Sequence, residues 1–213
     1  MNKKILFGTL ALGLMIGSAF GFQAIRKTQP AAADTDSKIQ LIEAKGKFVE
    51  AAQSTIDKGQ ASVRAFKHNP ALSAGYQNTI WNPFYNVDPS GKLEAQALNF
   101  VDAEGWMYTV AADTGKVLQV GPVPKTSQSQ NQPALDFTPR YTQDELKQYA
   151  LNWLKDQGVN VDEATKGLEF SVTSKDDKGF FFRWTDKSST DKMRILQVGF
   201  TVGGSLLSYT NTL

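Results

Sequence analysis

The spacing of apolar residues changes several times along the chain, and each change marks an element. Ile5 to Ile25 is an uncharged run of 21 residues between Lys3-Lys4 and Arg26-Lys27. It is long enough for a helix to cross roughly 30 Å of hydrocarbon, and longer than the roughly 7–15 apolar residues of a cleaved signal peptide. From Ile39 to Phe66 the apolar positions Ile42, Val49, Ile56 and Val63, with Ile39, Ala52 and Phe66 beside them, follow a helical period. Asp36 or Ser37 is placed to cap its start, and His68-Asn69-Pro70 to close it. Short stretches rich in Val, Tyr, Trp and Phe come next, separated by Asn-Pro at 82, Asp-Pro-Ser-Gly at 88, Asp-Ala-Glu-Gly at 102 and Asp-Thr-Gly at 113. This pattern predicts strands near 78–87, 92–101, 106–112 and 116–120.

The same order then returns. Residues 121–140 hold four prolines and a Ser/Gln tract with little to bury, which reads as a linker. Thr142 and Glu145 have capping-box spacing, and Leu146, Tyr149, Ala150, Trp153 and Leu154 make one apolar stripe on a helix that stops at Gly158. Strands are expected near 168–173, 179–185, 193–202 and 205–210. The resulting expectation is an α+β fold of two small modules, each a helix packed on an antiparallel β-meander, behind an N-terminal transmembrane or signal helix. The divisions fall at 1–33 (anchor and polar spacer), 34–120, 121–140 (linker) and 141–213.

Composition narrows the function. There is no cysteine, so disulfides, thiolate metal sites and a thiol nucleophile are excluded. Four of the 23 basic residues, Lys3, Lys4, Arg26 and Lys27, precede position 34, whereas none of the 21 acidic ones does. The rest of the chain is therefore slightly acidic and lacks the concentrated basic face that nucleic acid requires. Lys3 and Lys4 favour a cytoplasmic N-terminus. The expected location is the cell membrane, single-pass through residues 5–25 with an extracytoplasmic C-terminal part, the alternative being a secreted protein.

Tyr108-Thr-Val110-Ala-Ala-Asp113-Thr-Gly115-Lys116-Val117-Leu118 resembles the closing hairpin of PepSY domains, in which Tyr-x-Val leads to an acidic turn with Thr-Gly-Lys and then Val-Leu. The second half is similar in its helix and in the ending Gly-Phe-Thr-Val-Gly-Gly-Ser-Leu-Leu-Ser-Tyr, where Gly204 stands as Gly115 does, while the acidic residue and lysine are replaced. The resemblance implies a cystatin-like helix-on-sheet fold in an exported bacterial protein that binds or inhibits peptidases. A structural or assembly role at the cell envelope, as in germination and sporulation proteins of this layout, is the alternative.

Asp113-Thr114-Gly115 also has the form of an aspartic-protease motif. That chemistry needs two carboxylates sharing a proton, and the chain has no second copy. As a turn the same residues have a simpler use, with Asp bonding nearby amides and glycine supplying a positive φ. Asp113, Gly115 and Gly204 are accordingly assigned to turns. Ser189-x-x-Lys192 lacks its companion motifs in the right order. His68, the only histidine, is placed to favour helix-end carbonyls, and Asp176-Asp177 lies in a turn without the spacing of a calcium loop. No catalytic residue, metal or cofactor is expected. Trp81, Phe84 and Tyr85, clustered around Pro83, are the candidate anchors for a protein or peptide partner outside the cytoplasm, the other reading being that they plug the core.

Overall fold

A computed structural model describes residues 48–82, 95–124, 131–186 and 194–213. The membrane run at residues 5–25, the helix positions before residue 48 with their caps Asp36 and Ser37, and both Phe84 and Tyr85 lie outside the described residues. Among the described residues no helix is long and apolar enough to cross a membrane.

The first helix among the described residues, α1, spans Gln53–Phe66, and four strands follow it: β1 (Ala74–Trp81), β2 (Gln96–Asp102), β3 (Trp106–Ala111) and β4 (Val117–Pro122). Then come α2 (Gln143–Asp156), the short α3 (Val161–Ala164), β5 (Glu169–Lys175), β6 (Gly179–Thr185), β7 (Ile195–Thr201) and β8 (Leu206–Asn211). The architecture is α+β, and the described strands form one eight-stranded antiparallel sheet in the order β1-β2-β3-β4-β8-β7-β6-β5. The two meanders join where β4 pairs with β8, Gln119 opposite Thr210 and Val120 opposite Tyr209.

Helix α1 starts later than its apolar period predicts. Its N-cap is Ala52, which has no capping side chain, and Phe48 to Ala52 are not helical. Bonds to the sheet account for the difference. Ala51 donates its N–H to Thr79 Oγ1 at 3.3 Å, and Gln96 Nε2 donates to the Val49 carbonyl at 2.8 Å. These bonds tie the lead-in to β1 and β2 and take it out of the helix. Pattern and structure agree at α2. Thr142 Oγ1 accepts from the Glu145 N–H, Thr142 donates its own N–H to Glu145 Oε2 at 2.8 Å, and Gly158 leaves the helix at φ 75°.

Both helices lie on one face of the sheet. A single core runs across the two halves there, with Leu98, Phe100, Tyr108 and Val110 from the first, and Leu146, Leu154, Phe182 and Val198 from the second. Burying each leucine contributes ~1.5–3 kcal/mol. Strand β6 shows why one strand carries so many rings. Phe182 and Trp184 point to the helices, and Phe181 occupies the opposite face. There its ring fills the space a Cβ would take at Gly199, 2.4 Å from that position. β1 begins at Ala74, four residues before the pattern predicts, and β4 runs on to Pro122.

Candidate functional site

The hairpin between β3 and β4 places the Asp-Thr-Gly residues. Gly115 sits at φ 76° and donates its N–H to the Ala111 carbonyl at 2.8 Å, and the Ala111 N–H donates to the Lys116 carbonyl at 2.9 Å. Asp113 is exposed, and its Oδ1 accepts the Thr114 N–H at 2.7 Å. Lys58 of α1 donates Nζ to the Asp113 main-chain oxygen at 2.8 Å. The tripeptide thus closes a turn and fastens α1 to it. A Cβ on Gly115 would stand 3.0 Å from Lys58 Cε and 3.1 Å from Ser62 Oγ. The β7–β8 hairpin repeats the device without an acid, with Gly204 at φ 89° donating its N–H to the Thr201 carbonyl at 2.9 Å.

Gly115 and Lys116 also form part of an open cleft of about 890 Å³ where the two halves meet on the helix side. Phe66 and Tyr209 are the aromatic residues that line it. Phe66 from the end of α1 packs 5.7 Å from Trp153 of α2 and 5.2 Å from Tyr209 of β8, and Trp153 and Tyr209 are 5.4 Å apart. This triangle carries the first helix onto the second half. Burial pushes the Tyr209 hydroxyl up to about 12, partly offset by Asn211 Nδ2, which donates to it at 2.9 Å. Lys116 donates Nζ to the Leu213 main-chain oxygen, and burial holds its ammonium below the ordinary lysine value. Arg194, on the rim, is paired with Asp186 at 3.2 Å.

His68 closes α1 at φ 50°, donating its N–H to the Ala65 carbonyl at 3.0 Å, and its ring comes within 3.5 Å of Gln157 Nε2 at the end of α2. Trp81 is half-buried on the helix side of edge strand β1, edge-on to Phe48 with centroids 5.6 Å apart. Asp176 and Asp177, at φ 48° and 53°, lie with Lys178 in the exposed three-residue turn between β5 and β6. Among the described residues no three His, Cys, Asp or Glu side chains converge to hold a metal ion.

Sequence reasoning passed over Asp102 except as a turn signal. It is buried, and its Oδ1 accepts from the Glu104 and Trp106 amides at 3.0 and 2.9 Å, while Oδ2 accepts from Tyr108 Oη at 2.6 Å. Burial, and then this bond, raise the Tyr108 hydroxyl far above its ordinary value. All these acceptor positions serve the β2–β3 turn, so the group is structural. Asp113 and the cleft residues Lys116, Arg194 and His68 are held in turn, main-chain and ion-pair contacts. Compared with protein-family models, curated proteins and solved structures, the chain matches none.

Proposed function

We propose that this chain is an exported, membrane-anchored binding protein without catalytic chemistry. In this reading it is built of two PepSY-like modules, 34–120 and 141–213, and regulates or inhibits an extracytoplasmic peptidase. The observation that carries the reading is the Asp113 turn, whose carboxylate is engaged by the Thr114 amide and whose glycine has the positive φ of a hairpin residue. In each half the four strands follow the helical residues, with the extra short helix α3 in the second, and this order supports the division into modules. The Ile5–Ile25 run supports the anchor. Trp81 remains the candidate anchor for a partner at the β1 edge, with Phe84 and Tyr85 next to it in sequence.

The test is inhibition and capture with the full chain in detergent micelles. Bacterial envelope extract is assayed for peptidase activity with increasing protein, and the bound proteins are identified. A stoichiometric fall in activity with recovery of one peptidase is expected. Recovery of several envelope proteins with unchanged activity would favour the assembly role, and cleavage of peptides by the purified chain itself would contradict both.

A further inference from the structure

The two edge strands of the sheet, β1 and β5, differ in make. At β1 the register slips between Tyr76 and Asn78, so Gln77 bulges out of the ladder, and its Nε2 donates to the Gly75 main-chain oxygen at 3.1 Å. The lead-in to α1 reaches the same strand, with the Ala51 N–H on Thr79 and Tyr76 Oη donating to Glu50 Oε2 at 3.4 Å. A bulge and a side chain bonded to the main chain both keep an edge from pairing. β5 has neither. It pairs with β6 in unbroken register from Glu169 opposite Thr185 to Lys175 opposite Gly179, and no described strand pairs with its outer side. Glu169, Phe170, Ser171, Thr173 and Ser174 are exposed.

An edge strand turns every second main-chain N–H and C=O outward, where a further strand can take them. The residues of β5 indicate which strand. Its middle, Phe170 to Ser174, holds no charge, proline or glycine, while its ends carry one charge of each sign, Glu169 and Lys175. Both charges stand equally far from Val172. A second β5 laid antiparallel with Val172 opposite Val172 therefore brings each Glu169 opposite the Lys175 of the other copy. Side chains alternate along a strand, so Glu169 and Lys175 share one side of the sheet, and residues directly opposite have Cβ atoms about 4.5–5.5 Å apart, within reach of an ion pair. On the helix side the same register sets Phe170 opposite Ser174. Phe170 is 37% exposed although Trp184 lies 5.1 Å from its ring and Lys147 Nζ 4.6 Å over it, and the second copy's Val172 and Ser174 would cover it further. A parallel arrangement in register would set like charges opposite each other, and a shift of two residues would break both pairs.

We propose that β5 is a dimerisation edge, on which two copies of this chain pair β5 to β5, antiparallel about Val172, through main-chain hydrogen bonds and two Glu169–Lys175 pairs. The two-fold axis crosses the sheet, so the two sheets continue as one with both helix layers on the same face. The contact is isologous and uses the edge of both copies, so it closes at two and leaves no template for further strands. Strand β1, with Trp81, stays at the two far ends of the joined sheet. This inference goes beyond the reading of the chain as a peptidase-binding protein and does not depend on it.

The experiment uses the full chain in detergent micelles, followed by analytical ultracentrifugation. A dimer is expected. Glu169→Lys and Lys175→Glu, each of which sets like charges opposite each other twice, should each weaken it at least about tenfold. An equimolar mixture of these two variants should recover the dimer, because each copy offers the sign that the other lacks, and the double swap in one chain should recover it too. The chain has no cysteine, so Ser171→Cys places a lone thiol beside the two-fold axis. A short bismaleimide should link it between copies, whereas Gln77→Cys at the β1 bulge should stay unlinked. Thermal melts show whether the variants remain folded, and where a swap melts early the linking of Ser171→Cys against Gln77→Cys decides. A monomer at every concentration, a dimer that both single swaps leave intact, as one formed through residues 5–25 would be, a mixture that does not recover, or equal linking at the two thiols overturns the β5 pairing. None of these results touches the peptidase reading, which inhibition and capture test separately.

Discussion

Helix α1 approaches its strands through a glycine, whereas α2 is seated on rings. An added Cβ at Gly59 would lie 2.6 Å from Phe100 Cζ and 3.3 Å from Leu98 Cδ1, so the α1 backbone is in close contact with β2. On α2, Tyr149 and Trp153 stand edge-on to Phe200 at 4.9 and 6.0 Å, and Tyr141 stacks on Tyr149 at 6.3 Å. The caps differ as well, with a complete capping box at Thr142 and no side-chain cap at Ala52. A helix is thus seated on four strands in each half by residues of different size.

This contrast can be broken from either side. The largest effect is expected from Phe200→Ala, which removes the ring that supports both Tyr149 and Trp153 and should cost about 3–5 kcal/mol in chemical denaturation. Gly59→Ala comes next. Alanine is favoured over glycine inside a helix by up to ~1 kcal/mol, yet the clash with the fully buried Phe100 should turn the balance to a net loss of about 1–3 kcal/mol. Adding Phe100→Leu to Gly59→Ala should recover part of that loss, and a stabilised single variant would show that α1 is not closely seated.

The caps give a smaller, paired test. Thr142→Ala should cost about 0.5–2 kcal/mol, while Ala52→Asp should add up to ~1 kcal/mol, because the extended backbone at residue 52 suits a capping side chain. The smallest effect is on pH dependence. The Thr142 amide and hydroxyl hold the Glu145 carboxyl below its ordinary value. A lowered carboxyl stabilises the fold above its unfolded value and loses that contribution as pH falls through the folded one. The penalty of Thr142→Ala measured near neutral pH should therefore shrink in acid, and an unchanged penalty would place the stabilisation in the Thr142 side chain alone.

What could be seen in the sequence was what depends on near neighbours. The Thr142–Glu145 box, the Gly158 stop and the Gly115 and Gly204 turns are set within a few residues, and local pattern reached them. The start of α1 was not, because it depends on Thr79 and Gln96, which are distant in sequence. Nor was the β4–β8 junction, where Val120 and Tyr209 alternate with polar neighbours in the manner of any strand and carry no signal of pairing with each other. Lys116 is a charged residue at a strand start in the sequence, and only the fold brings its ammonium to the Leu213 main-chain oxygen and half-buries it.

The central claim, that Asp113-Thr114-Gly115 is a turn in a binding protein, is tested most directly by pairing thermal melts of Asp113→Asn and Gly115→Val with a peptide-library cleavage assay of the unmodified chain at about pH 4–6, the range in which a carboxylate dyad works. Asp113→Asn should melt close to the unmodified protein. Gly115→Val should lose about 1–3 kcal/mol, because a β-branched residue opposes φ 76° and its Cβ meets Lys58 and Ser62. No library peptide should be cut. Cleavage that disappears in Asp113→Asn with an unchanged melt would contradict the account and make the residue a catalytic acid.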